Sequence, residues 1–247
     1  MVKGSSTSVY WLENGQKRHI ASSAIFNSWV SSWDRVVTIS DAELASYSAG
    51  AKVGFRPGKL VRNPSTGAIY FTSNAPDWML GQKLHITSGT ALSQCFPGLR
   101  WTNVSAGDLA LHPDGPSITG CAGAHPNGTL VKGSGNAVYV LSQGTKRWIV
   151  SYAAFQSWKF GGDVVTISDA ELNGYPGGAN VGFRPGELFA ETSNGYHFVT
   201  NDGDVARGQR RALDSSTVAC LFTGYPSAAA PPELFATHPE GPPILGC

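Results

Sequence analysis

The amino-acid sequence predicts a mainly β protein with short helices, built from four pseudo-repeats of about 60 residues each. Three observations predict it. Distant segments copy one another: Val2-Lys3-Gly4-Ser5 returns as Val131 to Ser134, Val36 to Leu44 as Val164 to Leu172, and Val53 to Gly58 as Val181 to Gly186. Each half divides again, because Gly58-Lys59-Leu60, Gly128-Thr129-Leu130 and Gly186-Glu187-Leu188 mark unit starts, and Met1 stands at the leucine position of the first. Short apolar runs flank two-residue turns, the pattern of hairpins. The expected halves are 1–121 (units 1–58 and 59–121) and 122–247 (units 128–186 and 187–247). A unit of this size cannot bury its own apolar face, so four must share cores. Two arrangements fit: a four-bladed, propeller-like ring, or two packed two-repeat domains. The connection Ala122 to Gly128 is too short for loosely tethered halves.

Within a unit, Val9 to Leu12 and Arg18 to Ile20 flank Asn14-Gly15, whose residues accept the positive φ of a tight hairpin turn. The third unit places Gln143-Gly144 there. The second and fourth lengthen the turn through Asn74 to Trp78 and Asn201 to Asp204, and loops are where unit-specific function can sit. The spacing of Ala24, Phe26 and Trp29, and of Ala154, Phe155 and Trp158, predicts a short helix, followed by a strand over Val36 to Ile39. Ser40-Asp41-Ala42-Glu43 and Ser168-Asp169-Ala170-Glu171 carry the Ser-x-x-Glu signature of a helix start. The recurring Tyr10, Tyr70, Tyr139, Phe26, Phe155, Trp29 and Trp158 are expected in the core.

Composition narrows the function. The 247 residues carry 18 basic and 17 acidic side chains, a net charge of +1, and no block of like charge, so nucleic acid and anionic membranes lack an electrostatic handle. No apolar run is long enough to span a bilayer, so membrane insertion is not expected. The N-terminus shows no signal-peptide core, and the chain is expected to be mature or trimmed. Cys95 with Cys121 and Cys220 with Cys247 repeat one spacing, which favours a disulfide within each half and hence a secreted or cell-surface location. Cys-x-x-Cys is absent, and neither a metal nor another cofactor is expected.

Residues Val9 to Ile20, Phe26, Trp29 and Asp41 to Leu44, with their partners Val138 to Ile149, Phe155, Trp158 and Asp169 to Leu172, resemble the tandem hairpin-helix repeats of secreted and cell-surface bacterial proteins. Such repeats are often appended to hydrolase or adhesion regions, so the resemblance implies location and modularity without implying a reaction. It covers the first and third units; the second and fourth depart in the hairpin and after the helix, where they add the cysteines. The order of hairpin then helix also resembles hemopexin-type four-bladed propellers, in element order alone.

No catalytic constellation breaks the repeat: Gly-x-Ser-x-Gly, a phosphate-binding glycine loop and His-Glu-x-x-His are all absent. Asp41 with Glu43 and Asp169 with Glu171 are explained by helix capping, and the His-Pro turns at His112, His125 and His238 by turn chemistry. Asn201-Asp202-Gly203-Asp204 opens like a calcium loop but lacks the later glutamate. Unit-specific aromatics beside amides and carboxylates remain, a combination on which sugars stack and hold their hydroxyls. The candidate ligand-binding residues are Trp33, Asn74, Asp77, Trp78, Trp101, Asn194, Tyr196 and Asp202. The expected function is a non-catalytic, lectin-like module for carbohydrate or cell wall, with several related sites. A structural or adhesive spacer binding itself or other surface proteins is the alternative, and a secreted hydrolase the third.

Overall fold

The computed structural model describes residues 1–190, 195–230 and 232–245. The chain is mainly β with short helices, and each quarter folds to one plan. The first unit runs β1 (Val2–Lys3), β2 (Val9–Glu13), β3 (Gln16–Ile20), α1 (Ser23–Trp29), a 3-10 turn (Trp33–Arg35), β4 (Val37–Thr38), α2 (Asp41–Ser46) and β5 (Ser48–Ala49). The second has β6 (Leu60–Arg62), β7 (Ile69–Thr72), β8 (Lys83–His85), α3 (Gly89–Cys95), β9 (Trp101–Asn103) and α4 (Ala106–Leu111). The third has β10 (Leu130–Lys132), β11 (Tyr139–Ser142), β12 (Thr145–Trp148), α5 (Tyr152–Ser157), β13 (Val164–Thr166) and α6 (Asp169–Gly174). The fourth has β14 (Leu188–Ala190), β15 (Tyr196–Thr200), β16 (Gln209–Leu213), α7 (Ser215–Leu221), β17 (Ser227–Ala229) and α8 (Pro232–Thr237).

Each unit forms one sheet. Its first three strands meander antiparallel, and the strand after the helix returns to lie parallel to the first, as in the order β8-β7-β6-β9. Sequence chemistry sets the turns. Asn14 (φ 49°) and Gly15 (φ 73°), and Gln143 (φ 51°) and Gly144 (φ 74°), take the left-handed conformation that a two-residue hairpin demands. Ser22, Ser88, Ser151 and Asp214 cap the first helix of each unit through their side-chain oxygens. Ser40 and Ser168 cap the second helix, as the Ser-x-x-Glu signature requires. The neighbouring Asp41 and Asp169 take a further role, accepting from the backbone and hydroxyl of Ser5 and Ser134 and so tying down the first turn of each half.

Two cores hold the units. One draws on every unit, with Trp29, Met79, Trp158 and Val199 fully buried within it, and the other joins the second and third units through Phe71, Phe96, Val131 and Leu141. Aromatic rings bridge units at the centre: Trp29 lies 6.4 Å from Trp158, and Trp158 lies 5.4 Å from Trp78. Tyr10, Tyr70 and Tyr139, expected in the core, are only half-buried, with Tyr70 packed against the margin of the first core and Tyr139 against that of the second.

Polar contacts follow the pseudo-twofold between the halves. Arg18 pairs with Asp77 (2.7 Å) and Arg147 with Asp204 (2.5 Å), linking the first unit to the second and the third to the fourth. His112 and His238, read from sequence as turn residues, are buried instead, where Nε2 accepts from Phe55 N (2.9 Å) and Phe183 N (2.8 Å). Two ion triads cross the remaining junctions with opposite polarity. Asp163 receives Arg56 (2.5 Å) and Lys59 (3.0 Å), whereas Glu187 receives Arg184 (2.5 Å) and Arg35 (2.6 Å). Arg56 and Arg184 are equivalent, but acid and base have exchanged places at the equivalent pairs 59/187 and 163/35.

Cys95 and Cys121 form a disulfide closing a separation of 26 residues. The second expected bridge ends on Cys247, outside the described residues. Replacing Cys95 and Cys121 together with serine is expected to lower stability by about 3 to 4 kcal/mol through loop entropy. Urea unfolding checks it, and an unchanged midpoint would show that the bridge constrains nothing the fold does not already hold.

Candidate functional site

The expected ligand-binding residues separate into buried and exposed sets. Trp78 is only 9% exposed, packed on Trp158 with the Arg147 guanidinium over its ring. Asn74 is buried, and its Nδ2 donates to the Leu141 carbonyl across to the third unit (3.1 Å). Asp77 spends one oxygen on Arg18 and the other on Met79 N (2.8 Å). This loop therefore folds inward and fastens units together. Asp202 accepts from Thr200 Oγ1 and Arg211 (both 2.8 Å), and Asp204 from Arg147, so both carboxylates of the calcium-like loop are engaged. Tyr196 is half-buried in β15, Asn194 lies outside the described residues, and Trp101 is exposed at the start of β9. Trp33 is 58% exposed and stacks on Phe26 at 4.5 Å.

Trp33 belongs to a surface pocket of about 240 Å³ formed by the start of β2, the end of β3 and the start of α1, with His19, Ser22 and Phe26 in its wall. The second unit has a pocket of about 350 Å³ at the equivalent place, walled by Ile69, His85, Ser88 and Leu92. His19 and His85 face Tyr10 and Tyr70 across the strands, each at 5.3 Å between ring centroids. Partial burial, with Lys52 nearby, holds the His19 imidazole below its ordinary pKa, so it is neutral at pH 7 and can donate and accept. In the third unit Trp148 stands at the histidine place, opposite Tyr139, and Tyr152 at the helix start is 73% exposed over Phe155. The fourth unit has Ala212 there. Three units thus present a ring, a hydroxyl or both at one recurring position. The alignment of His19, His85 and Trp148 was the available signal, obscured because each is unremarkable alone.

A second concavity, of about 470 Å³, lies between the first and fourth units. Apolar side chains such as Leu12, Val37 and Phe198 make most of it, with Asn201, Asp202 and Arg211 on one wall. Asn201 Nδ2 and Arg211 Nε are buried without a hydrogen-bond partner. Donors in that state ordinarily cost a kcal/mol or more, roughly 1 to 3. Burial raises the Tyr225 hydroxyl above its usual value, Arg184 and Arg35 opposing, and its proton is donated to the Gly186 carbonyl. Among the described residues no group of three or more His, Cys, Asp or Glu side chains is placed to hold a metal ion. None of the described helices is long and apolar enough to cross a membrane.

Neither a protein-family model nor any curated protein matches the chain.

Proposed function

We propose that the protein is an extracellular, non-catalytic, lectin-like module that binds carbohydrate or cell-wall polysaccharide through several related sites, its four units arranged as the blades of a propeller-like ring. The observation that carries this reading is the recurrence of one surface pocket at equivalent positions of the first and second units, with exposed rings at that position in the third. An apolar ring beside neutral imidazole and serine hydroxyls matches the alternating faces of a sugar. Weak sites repeated on one rigid body gain by avidity on a polymer. Contacts running from the first unit to the second, second to third, third to fourth, and fourth to first through Arg35–Glu187 support the ring. The disulfide supports the extracellular location.

The test is a glycan array followed by calorimetry on the retained polymer. Trp33→Ala and Tyr152→Ala are each expected to weaken retention about tenfold, and the double variant by about 100-fold or more, as multivalency predicts. Absence of sugar binding at millimolar concentration would remove the proposal. Exposed Trp101 on the short outer strand β9 favours the adhesive alternative, for which sedimentation should show assembly that Trp101→Ala abolishes.

A further inference from the structure

Where the first, second and third units meet, a cavity of about 360 Å³ has charge of one sign in its wall. Arg56, Lys59 and Lys159 line it, and among the described residues no acidic side chain does. Each of the three keeps a donor in reserve. Arg56 spends its terminal nitrogens on the carbonyls of Pro57 (2.6 Å) and Lys159 (3.0 Å) and on Asp163 (2.5 Å), and its Nε is buried and unbonded. The equivalent Arg184 turns its Nε to the Ser157 carbonyl (2.9 Å), a bond that Arg56, drawn across the junction to Asp163, does not make. Lys59 Nζ gives to Asp163 alone, at 3.0 and 3.3 Å. Lys159 Nζ gives to the carbonyls of Asn27 (2.6 Å) and Val30 (3.1 Å), which occupy donors but cancel no charge. A single carboxylate therefore answers three cations.

We infer that this cavity is a binding site for a tetrahedral oxyanion, a phosphate or sulfate group. The guanidinium fork of Arg56 is already committed, so no planar pair of donors is left to clasp a carboxylate. What remains is one donor from each of three side chains, with the exposed Thr102 hydroxyl on the same wall, a set suited to an acceptor with more than two oxygens. Phe55 and Val61 give the cavity an apolar side on which the carbon skeleton of a larger anion can rest. Lys159 is held at φ 55°, in the left-handed region, whereas its counterpart Val30 is extended at φ −133°. Partial burial, and then Arg56, Lys59 and Arg184, keep its ammonium below the ordinary pKa, and a bound anion would relieve that repulsion. Across the pseudo-twofold the matching cavity, of about 190 Å³, has Glu187 where Lys59 stands, Val30 for Lys159 and Ala228 for Thr102, so it carries an acid in its own wall. The site is separate from the sugar pockets and does not depend on them.

The test titrates the full chain with sodium phosphate, acetate or chloride at matched ionic strength and follows the backbone amide resonances of Thr102 and Gly161. Phosphate is expected to shift both saturably, with a dissociation constant of about 1 mM or below, and acetate to bind about tenfold more weakly. Glucose 1-phosphate separates two sources of the group: binding about tenfold tighter than phosphate identifies an anion carried on a saccharide, and equal or weaker binding a free ion. Glucose alone should leave Thr102 and Gly161 unmoved, whether or not the sugar pockets take it. Lys59→Met should weaken phosphate about tenfold. Thr102→Glu, on an exposed strand outside the packed triad, should abolish binding without moving the urea midpoint. No saturable shift with phosphate, shifts matched by chloride, acetate or glucose, or phosphate binding that survives Thr102→Glu would overturn the inference.

Discussion

Asp163→Arg is expected to cost at least about 4 kcal/mol of stability, and Lys59→Glu added to it to recover most of the loss. The Asp163 carboxylate is buried and is the shared partner of Arg56 and Lys59. Burial pulls the Arg56 guanidinium below its ordinary value and the carboxylate opposes that pull. Lys159, close by, is already held down by partial burial and then by Arg56, Lys59 and Arg184. A cation at 163 would crowd these groups with no anion among them. The double replacement reproduces the polarity that the other junction uses, where Glu187 sits between Arg184 and Arg35. Lys59→Glu alone should also destabilise, by about 2 kcal/mol, since it sets two carboxylates together. Urea unfolding of the two singles and the double at neutral pH decides the matter. If the double variant is as unstable as the sum of its parts, the two triads are not interchangeable and the pseudo-symmetry of these junctions is only geometric.

The second large effect is acid lability above the carboxylate range. His112 and His238 each accept a backbone N–H at Nε2, and His112 Nδ1 donates to the Gly81 carbonyl (2.5 Å). The imidazole must be neutral for this, because a proton on Nε2 would face the N–H of Phe55 or Phe183. Burial drives both pKa values down, to about 4 for His238. A folded-state value below the unfolded 6.5 means that the unfolded chain takes up the proton first. The histidine contribution is therefore complete above pH 6.5 and falls as pH drops toward 4, by up to about 3 kcal/mol for His238 alone, whereas the buried Met1 ammonium, lowered from 8.0 to about 5, begins its loss already below pH 8. Asp41, Asp169 and Asp214, lowered mainly by the hydrogen bonds they accept, lose their contribution in a separate window below their ordinary 3.8. His19 is shifted in the same direction as the buried pair, so the assignment rests on variants. His238→Gln keeps an acceptor near Phe183 N without the titration, and should flatten the slope of unfolding free energy between pH 4 and 6.5. An unchanged slope would place the acid sensitivity elsewhere.

Much of the plan was legible in the residues. Asn14-Gly15 and Gln143-Gly144 announced hairpins, Ser40 and Ser168 announced helix starts, and the cysteine spacing announced Cys95–Cys121. What escaped was tertiary. Asn74, Asp77 and Trp78 sit in a polar-looking loop that reads as exposed, yet their partners Leu141, Arg18 and Trp158 arrive from other units and draw the loop inward. His112 and His238 look like turn residues because the amides they accept from lie a unit away. The exchange of acid and base at 59/187 and 163/35 is visible once the halves are aligned. Its meaning needs the third member, Arg56 or Arg184, which is the same in both. Among the candidate binding residues, Trp33 and Trp101 are exposed as expected, but the recurrence that gives Trp33 a context appears only when the strands are paired.

The central tryptophans have an optical consequence. Trp11, Trp29, Trp158 and Trp78 form a chain of neighbours at 5.5, 6.4 and 5.4 Å, drawn from three units. Indoles this close share excitation, so the chain behaves as one chromophore whose circular dichroism and polarisation depend on all four rings holding their mutual angles. Loosening any of the three units should therefore extinguish the same near-ultraviolet signal, while exposed Trp33, Trp101 and Trp148 continue to report the solvent.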